Sequence, residues 1–326
     1  MLRKTILLTA LGAAGPRLDA QAPVDRTAAQ LAPIIESVSS ARLESTVRAL
    51  VGFGTRHTLS DTLSPTRGIG AARRWVRTEF ERISRECGGC LEVLDVAEVF
   101  EGLPRVPGPT NVVSIVAIQR GTTDPDRFVL LSGDLDSRVS DIMNAVDSSP
   151  GANDNASGVA AVLEAARVLS ARRFRGSIVY AALSGEENGL LGGQTVAALA
   201  AARGWRMTGV INNDMIGNVV GGDGIRDTTT VRVFSEGTSP TETDSARKAR
   251  RATGGEVDGV SRQLARYIKA IGDRYLPSLD VWLIYRLDRF GRGGHHRPFA
   301  DLGFPAVRVT AAPEIYTRQH QDVRVE

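Results

Sequence analysis

Short apolar segments alternate with helical stretches along most of the chain, and this alternation constrains the fold more than any other feature. Seven segments have the length and composition of buried strands: residues 111–118, 128–132, 178–183, 207–212, 230–235, 281–285 and 306–310. Helical patterns cover residues 27–52, 69–84, 157–170, 190–203 and 260–275. Strands that alternate with helices form mostly parallel sheets covered on both faces. The sequence therefore predicts an α/β fold, a three-layer α/β/α sandwich with a mostly parallel central sheet.

The first 22 residues resemble a secretory signal peptide. Arg3 and Lys4 form a positive start, residues 5–14 form a short apolar core, and Ala20-Gln21-Ala22 forms a cleavage site. The apolar core is too short to span a bilayer, and no later segment is long and apolar enough to do so. We therefore expect a secreted or periplasmic protein whose residues 23–326 form one domain.

Charge does not indicate a nucleic-acid or membrane-binding protein. The formal net charge is +3, and the first 22 residues hold three basic residues and one acid, so +1 remains without them. A protein so close to neutrality has no overall field that would attract a polyanion.

The two cysteines, Cys87 and Cys90, stand in a Cys-Gly-Gly-Cys segment. In an exported protein, the simplest interpretation is a local disulfide that closes a tight turn. A redox couple and half of a zinc site remain alternatives. The chain has no second cysteine pair that would complete such a zinc site.

Two adjacent carboxylates, Glu186 and Glu187, follow the apolar segment 178–183 directly and stand between glycines. The carboxyl ends of strands are where open α/β sheets build their sites. Neighbouring carboxylates repel each other, and burial increases that cost unless a cation or a proton compensates. The sequence therefore predicts a positive charge beside this pair.

Other polar motifs stand at further junctions between strands and helices. Carboxylate oxygens bind divalent cations, and imidazole suits zinc, so these motifs could complete a metal site beside the glutamate pair. They are Gly133-Asp134-Leu135-Asp136-Ser137, Gly151-Ala152-Asn153-Asp154-Asn155-Ala156-Ser157-Gly158, Asn212-Asn213-Asp214-Met215 and Gly293-Gly294-His295-His296-Arg297-Pro298-Phe299.

Each of these motifs also has a purely structural interpretation. Asp154 could cap a helix, and Asp214 could be a turn residue. The pair His295-His296 could lie on the surface, and the isolated His57 and His320 are expected to be structural.

All of the motifs together, in this order, resemble metallopeptidase family 28, the co-catalytic zinc aminopeptidases whose relatives include glutaminyl cyclases. The family blocks Gly-Ala-x-Asp-Asn-x-Ser-Gly, Glu-Glu-x-Gly-Leu-x-Gly, Asn-x-Asp-Met and His-x-Pro-Phe are all present. The resemblance runs from Leu43 to Asp322. Family members usually continue beyond this point into a closing helix, and we expect the domain to lack that helix.

The resemblance implies a role for each matching residue. Asp154 would be the carboxylate that bridges two metal ions. Glu187, Asp214 and His296 would be further metal ligands. Glu186 would be the general base that takes a proton from a metal-activated water and passes it to the leaving amine.

Two positions depart from the family pattern. Asp134 stands where the family usually has a histidine, and His295 stands where it usually has an acid. We expect Arg138 to counter the charge that Asp134 adds beside Asp136.

The departures affect the two metal sites unequally. The site formed by Asp154, Glu187 and His296 is intact and suits zinc. The other would comprise Asp134, Asp154 and Asp214, all oxygen donors, which select zinc less strongly. The resemblance thus implies one firm zinc and a second metal that is weak, variable or absent.

The implied activity is removal of N-terminal residues from peptides with a free N-terminus. Asp134 and Asp214 are expected to attract the α-ammonium group of such a peptide. A glutaminyl cyclase, which works with a single zinc, and a non-catalytic receptor or scaffold are the alternatives. A non-catalytic relative typically loses its base or its ligands, whereas Glu186 and Glu187 are present here.

Overall fold

The computed structural model describes residues 26–238, 242–254 and 258–323, so the predicted signal peptide lies outside the described residues. Eight strands form one sheet: β1 Leu91–Phe100, β2 Thr110–Gln119, β3 Asp124–Asp134, β4 Gly176–Leu183, β5 Arg206–Asn213, β6 Thr230–Phe234, β7 Asp280–Ile284 and β8 Ala306–Ala311. The helices are α1 Arg26–Glu36, α2 Ser40–Gly52, α3 Gly68–Glu86, α4 Ser157–Ser170, α5 Leu191–Ala202, α6 Asp244–Ala252, α7 Val260–Tyr275 and α8 His296–Asp301.

The strands lie in the order β1-β2-β4-β3-β5-β8-β6-β7. The four central strands β4, β3, β5 and β8 are parallel to one another, and so are β6 and β7. The pairs β1–β2, β2–β4 and β6–β8 are antiparallel. The carboxyl ends of the four parallel strands therefore meet at one edge of the sheet, where α/β folds place their sites.

Helices cover both faces of the sheet, and β4 shows why. Tyr180 and Ala182 pack on one face with residues of α2, α3 and α4, whereas Val179, Ala181 and Leu183 pack on the other with α5 and α8. Successive side chains of a strand point to opposite faces, so a strand that is apolar throughout must be buried on both. The predicted α/β fold with a mostly parallel, helix-covered sheet is confirmed.

The structure departs from the sequence prediction in three places. The first strand, β1, was not predicted, because its half-exposed residues alternate with acids at the sheet edge. Residues 27–52 form two helices instead of one, with Ser39 capping the second through a hydrogen bond to Arg42 N. Helix α6 lies outside the helical patterns of the sequence, and this charged helix has no buried residue.

Two further features bear on the predictions made from the termini and the cysteines. Cys87 and Cys90 form the predicted disulfide just after α3. Within the described ranges, no helix combines the length and the apolarity that crossing a bilayer requires.

Candidate metal centre

The parallel strand ends bring the sequence motifs together. Asp134 is the last residue of β3, the glutamate pair follows β4, and Asp214 follows β5. Asp154 belongs to a short helical turn, Ala152–Ala156, immediately before α4. The chain segment after β8 closes the same edge and carries His320.

Asp136 fixes the loop that carries the two glutamates. Its Oδ1 accepts a hydrogen bond from Glu186 N at 3.0 Å, and its Oδ2 accepts one from Glu187 N at 3.1 Å. Thr58 Oγ1 also donates to Asp136 Oδ2, at 3.0 Å. Burial and the nearby Glu187 carboxylate raise the pKa of Asp136. Asp136 therefore orients the backbone of the glutamate pair through both of its carboxylate oxygens.

Three side chains form a group that can hold a metal ion: Asp154, Glu187 and His320. Their ligand atoms lie within 4.8 Å of one another, and the described part of the chain contains no other such group of three or more acids, histidines or cysteines. Two carboxylates and one imidazole match the ligand set of a catalytic zinc, which keeps its remaining positions open.

His320 Nε2 supports this interpretation directly. It lies 2.8 Å from Asp154 Oδ2 and 2.7 Å from Glu187 Oε1, yet it is buried and makes no aligned hydrogen bond. A buried polar atom without a partner is rare and requires an explanation. An imidazole nitrogen so close to two carboxylate oxygens, without an aligned hydrogen bond to either, fits a group that can bind a cation.

The electrostatics of the group fit the same conclusion. Burial alone would lower the pKa of His320, but the carboxylates of Asp154 and Glu187 outweigh it and raise that pKa to about 9. Burial would raise the pKa of Asp154, but His320 and Gln319 hold it at about 2. The two carboxylates thus demand a positive charge beside them, which a divalent cation can supply in place of a proton.

Neighbouring side chains hold these ligands in place. Arg138 Nε donates to Glu187 Oε2 at 2.8 Å, and Arg138 Nη2 lies 2.6 Å from His320 Nδ1. Gln319 Nε2 donates to Asp154 Oδ2 at 3.0 Å. Arg138 thus contacts the ligand group, whereas the sequence analysis expected it to counter Asp134 and Asp136.

His296 does not join the ligand group, which corrects the sequence prediction. It is fully buried at the start of α8, and its Nε2 is 2.8 Å from Leu287 O. His320 takes its place as the imidazole beside Asp154 and Glu187. The only signal in the sequence was the position of His320 after the last strand, close to Asp322, and we had interpreted it as structural.

The other histidines have structural contacts. His57 is buried, with Nε2 2.8 Å from Ile142 O and Nδ1 accepting from Leu59 N. His295 Nδ1 lies 2.6 Å from Asp134 Oδ1. Burial lowers the pKa of His295 to about 4, so this imidazole is neutral at pH 7.

Glu186 lies beside the ligand group with a free carboxylate. It lines a cavity of about 840 Å³ together with Asp154, Glu187 and His320. Its side chain makes no hydrogen bond or ion pair to any residue that the structure describes. Burial and the carboxylates of Glu187, Asp214 and Asp134 raise its pKa well above the usual value. An unpartnered carboxylate with a raised pKa suits a general base near neutral pH.

Asp134 is occupied by contacts within the protein. It is 2% exposed, and it accepts hydrogen bonds from Asn155 Nδ2 at 2.7 Å and from Asn212 Nδ2 at 3.1 Å, in addition to its contact with His295. Burial and the neighbouring Asp136 raise its pKa to about 8. Three side chains of the protein therefore already occupy this carboxyl group.

Asp214 is paired with a buried arginine. Arg308 Nη2 lies 2.9 Å from Asp214 Oδ2, while Arg308 Nη1 donates to both oxygens of Asp288, at 2.6 and 2.8 Å. Arg308 is fully buried on β8. Asp134 and Asp214, the residues expected to bind a second metal, are thus both engaged by the protein: Asp214 faces a buried guanidinium, and Asp134 accepts from neutral side chains.

Comparison with known proteins identifies the family of the chain. Residues 114–323 match Peptidase family M28. A probable zinc metalloprotease of Pyricularia oryzae is 44% identical over 298 residues, which cover 91% of this chain and 59% of that protein. A probable zinc metalloprotease of Leptosphaeria maculans is 39% identical, over 91% of this chain and 69% of its own length. The chain thus spans about three fifths of the Pyricularia relative.

Solved structures share the fold. The LapA aminopeptidase of Legionella pneumophila superposes with a TM-score of 0.64 at 17% identity, covering 91% of this chain and 68% of LapA. A glutaminyl cyclase of Porphyromonas gingivalis gives a TM-score of 0.57 at 18% identity, over 88% of each chain. These likenesses concern the fold, whereas the sequence match identifies the family: the chain belongs to peptidase family M28.

Proposed function

We propose that this protein is a zinc-dependent aminopeptidase that removes N-terminal residues from peptides. The observation that carries the proposal is the unpartnered Glu186 carboxylate in the same cavity as Asp154, Glu187 and His320. The relatives named as probable zinc metalloproteases and the likeness to an aminopeptidase support it.

In the mechanism, Asp154, Glu187 and His320 would hold the zinc ion. When bound, the zinc supplies a Lewis acid that polarises the scissile carbonyl and lowers the pKa of water. Glu186 takes a proton from the attacking water on its carboxylate and delivers it to the leaving amine. Asp136 fixes the backbone positions of Glu186 and Glu187 by accepting a hydrogen bond from the N–H group of each.

We further propose that the protein holds one zinc ion per chain. Asp214 and Arg308 support this count, because the buried guanidinium provides the positive charge that a second metal ion would otherwise provide. The three side-chain hydrogen bonds to Asp134 support it as well. A carboxylate already paired with a buried cation loses that pairing if it turns to a metal.

Activity is tested with a panel of aminoacyl amides and short peptides, assayed with added zinc and with a chelator. We expect release of N-terminal amino acids that the chelator abolishes and zinc restores. Glu186→Gln should abolish turnover while the chain keeps its zinc, because Glu186 does not ligate the metal. Turnover in this variant close to that of the wild type would refute its role as the base.

Metal content is tested on the wild-type protein after dialysis, by elemental analysis against protein concentration. We expect one zinc per chain. Two tightly held zinc ions per chain would refute the proposed count.

Glutaminyl cyclase activity is the second candidate function. The proposed single zinc ion favours this function, as does the structural likeness to a glutaminyl cyclase. The two functions separate on one peptide with N-terminal glutamine: a cyclase closes the pyroglutamyl ring and loses ammonia, whereas a peptidase releases free glutamine. For a non-catalytic receptor or scaffold, neither product would form, and the presence of Glu186 argues against it.

We also propose that the protein is exported and folds as one domain after removal of residues 1–22. The signal-like N-terminus and the Cys87–Cys90 disulfide support export, since disulfides persist in oxidising compartments. N-terminal sequencing of protein recovered outside the cytoplasm should begin at residue 23. An uncleaved chain that stays in the cytoplasm would refute this proposal.

A further inference from the structure

The cavity beside the metal ligands is unusually rich in arginine. Five of its fifteen lining residues are arginines, whereas Lys and Arg together make up 40 of the 326 residues of the chain. Arginine is therefore concentrated here beyond what the basic composition explains. The five are Arg105, Arg138, Arg289, Arg292 and Arg297.

Two of these arginines are committed to acids of the protein. Arg138 pairs with Glu187 at 2.8 Å. Arg289 Nη1 pairs with Glu314 Oε2 at 3.0 Å, and Arg289 Nε is 3.4 Å from Asp288 Oδ1. Their positive charges are thus compensated within the fold.

The other three arginines keep their charge available. Arg105 Nη1 donates to the backbone oxygen of Glu187 at 2.7 Å, which places its guanidinium beside a metal ligand without neutralising it. Arg292 is exposed between Gly291 and Gly293, and no described residue makes a hydrogen bond or an ion pair with its side chain. Arg297 forms a long ion pair with Asp301, at 3.8 Å, and its side chain is 50% exposed, so that water screens this pairing.

The carboxylates of the cavity do not compensate these three arginines. Asp154 and Glu187 belong to the metal group, Asp214 faces Arg308, and Glu186 is the proposed base. Five arginines against four carboxylates leave one positive charge in the lining, and a bound zinc ion raises this to three. Asp134 and Asp214, which are expected to attract a substrate ammonium, are both engaged by side chains of the protein.

We propose that Arg292, together with Arg105 and Arg297, binds a carboxylate of the substrate next to the scissile bond, so that the enzyme prefers anionic peptides. A guanidinium presents paired N–H groups that match a carboxylate, and a positively charged cleft attracts anions. The proposal rests on the proposed peptidase function. The carboxylate comes either from an acidic side chain or from the α-carboxyl end of a dipeptide.

Three matched substrate pairs distinguish these sources. Asp-Ala-Ala-NH₂ against Asn-Ala-Ala-NH₂ tests the first residue, and Ala-Asp-Ala-NH₂ against Ala-Asn-Ala-NH₂ tests the second. Ala-Ala against Ala-Ala-NH₂ tests the α-carboxylate. In at least one pair we expect the charged member to have a kcat/KM about 10- to 100-fold higher, the effect of a charge-assisted hydrogen bond.

Arg292→Gln should reduce that preference at least severalfold, and Arg105→Gln and Arg297→Gln should each reduce it as well. The matched control is Arg85→Gln, because Arg85 is exposed near the end of α3 and does not line the cavity. The control should keep the full preference. No charge preference in any pair, or a preference that survives Arg292→Gln unchanged, would overturn the proposal.

A binding measurement tests the carboxylate subsite separately from the proposed peptidase function. The zinc-loaded Glu186→Gln variant is titrated calorimetrically with the same peptides, so that affinity is measured without turnover. Tighter binding of charged peptides by a protein whose wild type hydrolyses none of them would refute the peptidase function and leave the carboxylate subsite standing. Hydrolysis with equal affinity for charged and neutral peptides would refute the subsite alone.

Discussion

Replacement of Arg308 by methionine is the sharpest test of the buried charge network. Arg308 makes three close contacts with carboxylate oxygens, two to Asp288 and one to Asp214. The arginine side chain is fully buried, and the side chains of Asp214 and Asp288 are 6% and 1% exposed. Methionine fills a similar volume but leaves both carboxylates without a positive partner.

The expected loss of unfolding free energy depends on how deeply the ion pair is buried. Removing one member of a buried ion pair costs about 3–5 kcal/mol because the remaining charge is stranded. An exposed pair is worth about 0–1 kcal/mol. Arg127 supplies the matched control: it pairs with Asp124 at 3.0 Å, and its side chain is 41% exposed. We therefore expect Arg308→Met to lower the free energy of unfolding several times more than Arg127→Met does.

The assay is equilibrium unfolding in urea at saturating zinc, since a bound metal adds to stability by mass action. Adding Asp214→Asn and Asp288→Asn to Arg308→Met should recover part of the loss, because the triple variant strands no charge. If Arg308→Met does not fold, Arg308→Lys keeps one charge and should give an intermediate loss. Equal effects of Arg308→Met and Arg127→Met would refute the reasoning.

Three further predictions follow from the contacts around the site. Loss of a residue that only hydrogen-bonds to a metal ligand weakens metal binding roughly 10- to 100-fold; His320→Ala should weaken zinc binding by more than this, and His296→Ala should leave the zinc affinity unchanged. Calorimetric titration with zinc measures both affinities. A larger loss in His296→Ala than in His320→Ala would identify His296 as the ligand. Asp136→Asn should lower kcat/KM about a hundredfold, because the new amide NH₂ group faces the backbone N–H of Glu186 or Glu187 and displaces the Glu186 carboxylate. Steady-state kinetics measure this loss, and a wild-type kcat/KM would contradict the prediction. Glu164 accepts from Ser39 N at 2.7 Å, and although burial raises its pKa, Arg167 and Ser39 lower it below 4.5 overall. Glu164→Gln should therefore cost about 1–2 kcal/mol at pH 7, and this difference should vanish as the pH falls through the lowered pKa; a constant difference down to pH 3 would argue against the ionic contribution.

The strand and helix pattern was readable because it depends on local spacing. Helices α4 and α7 begin and end where the apolar periodicity places them. Strand β4 is apolar at nearly every position, which predicts burial on both faces. The edge strand β1 escaped prediction because its burial depends on which neighbours cover it, and sequence spacing does not contain that information.

The motifs of the site were likewise readable where they follow a strand directly. Glu186, Glu187 and Asp154 lie beside one cavity because parallel strands end at the same edge. For the histidine ligand, the motif indicates His296 and leaves His320 with a structural interpretation, because the correct choice depends on where the segment after β8 folds back. That path is long-range, and it brings His320 to the ligand group while α8 carries His296 to Leu287.

By itself, the sequence determined the fold class and the family, because local periodicity and motif spacing carry that information. Its motifs also contain Asp154, Glu186 and Glu187, which line one cavity. Only the tertiary structure shows which imidazole lies beside Asp154 and Glu187 and how Asp214 is paired. Arg308 is the clearest case. It lies more than ninety residues from Asp214 in the chain, and nothing around it in the sequence marks it as functional. Its effect arises from a buried ion pair across neighbouring strands, and such a pairing exists only once the sheet has formed.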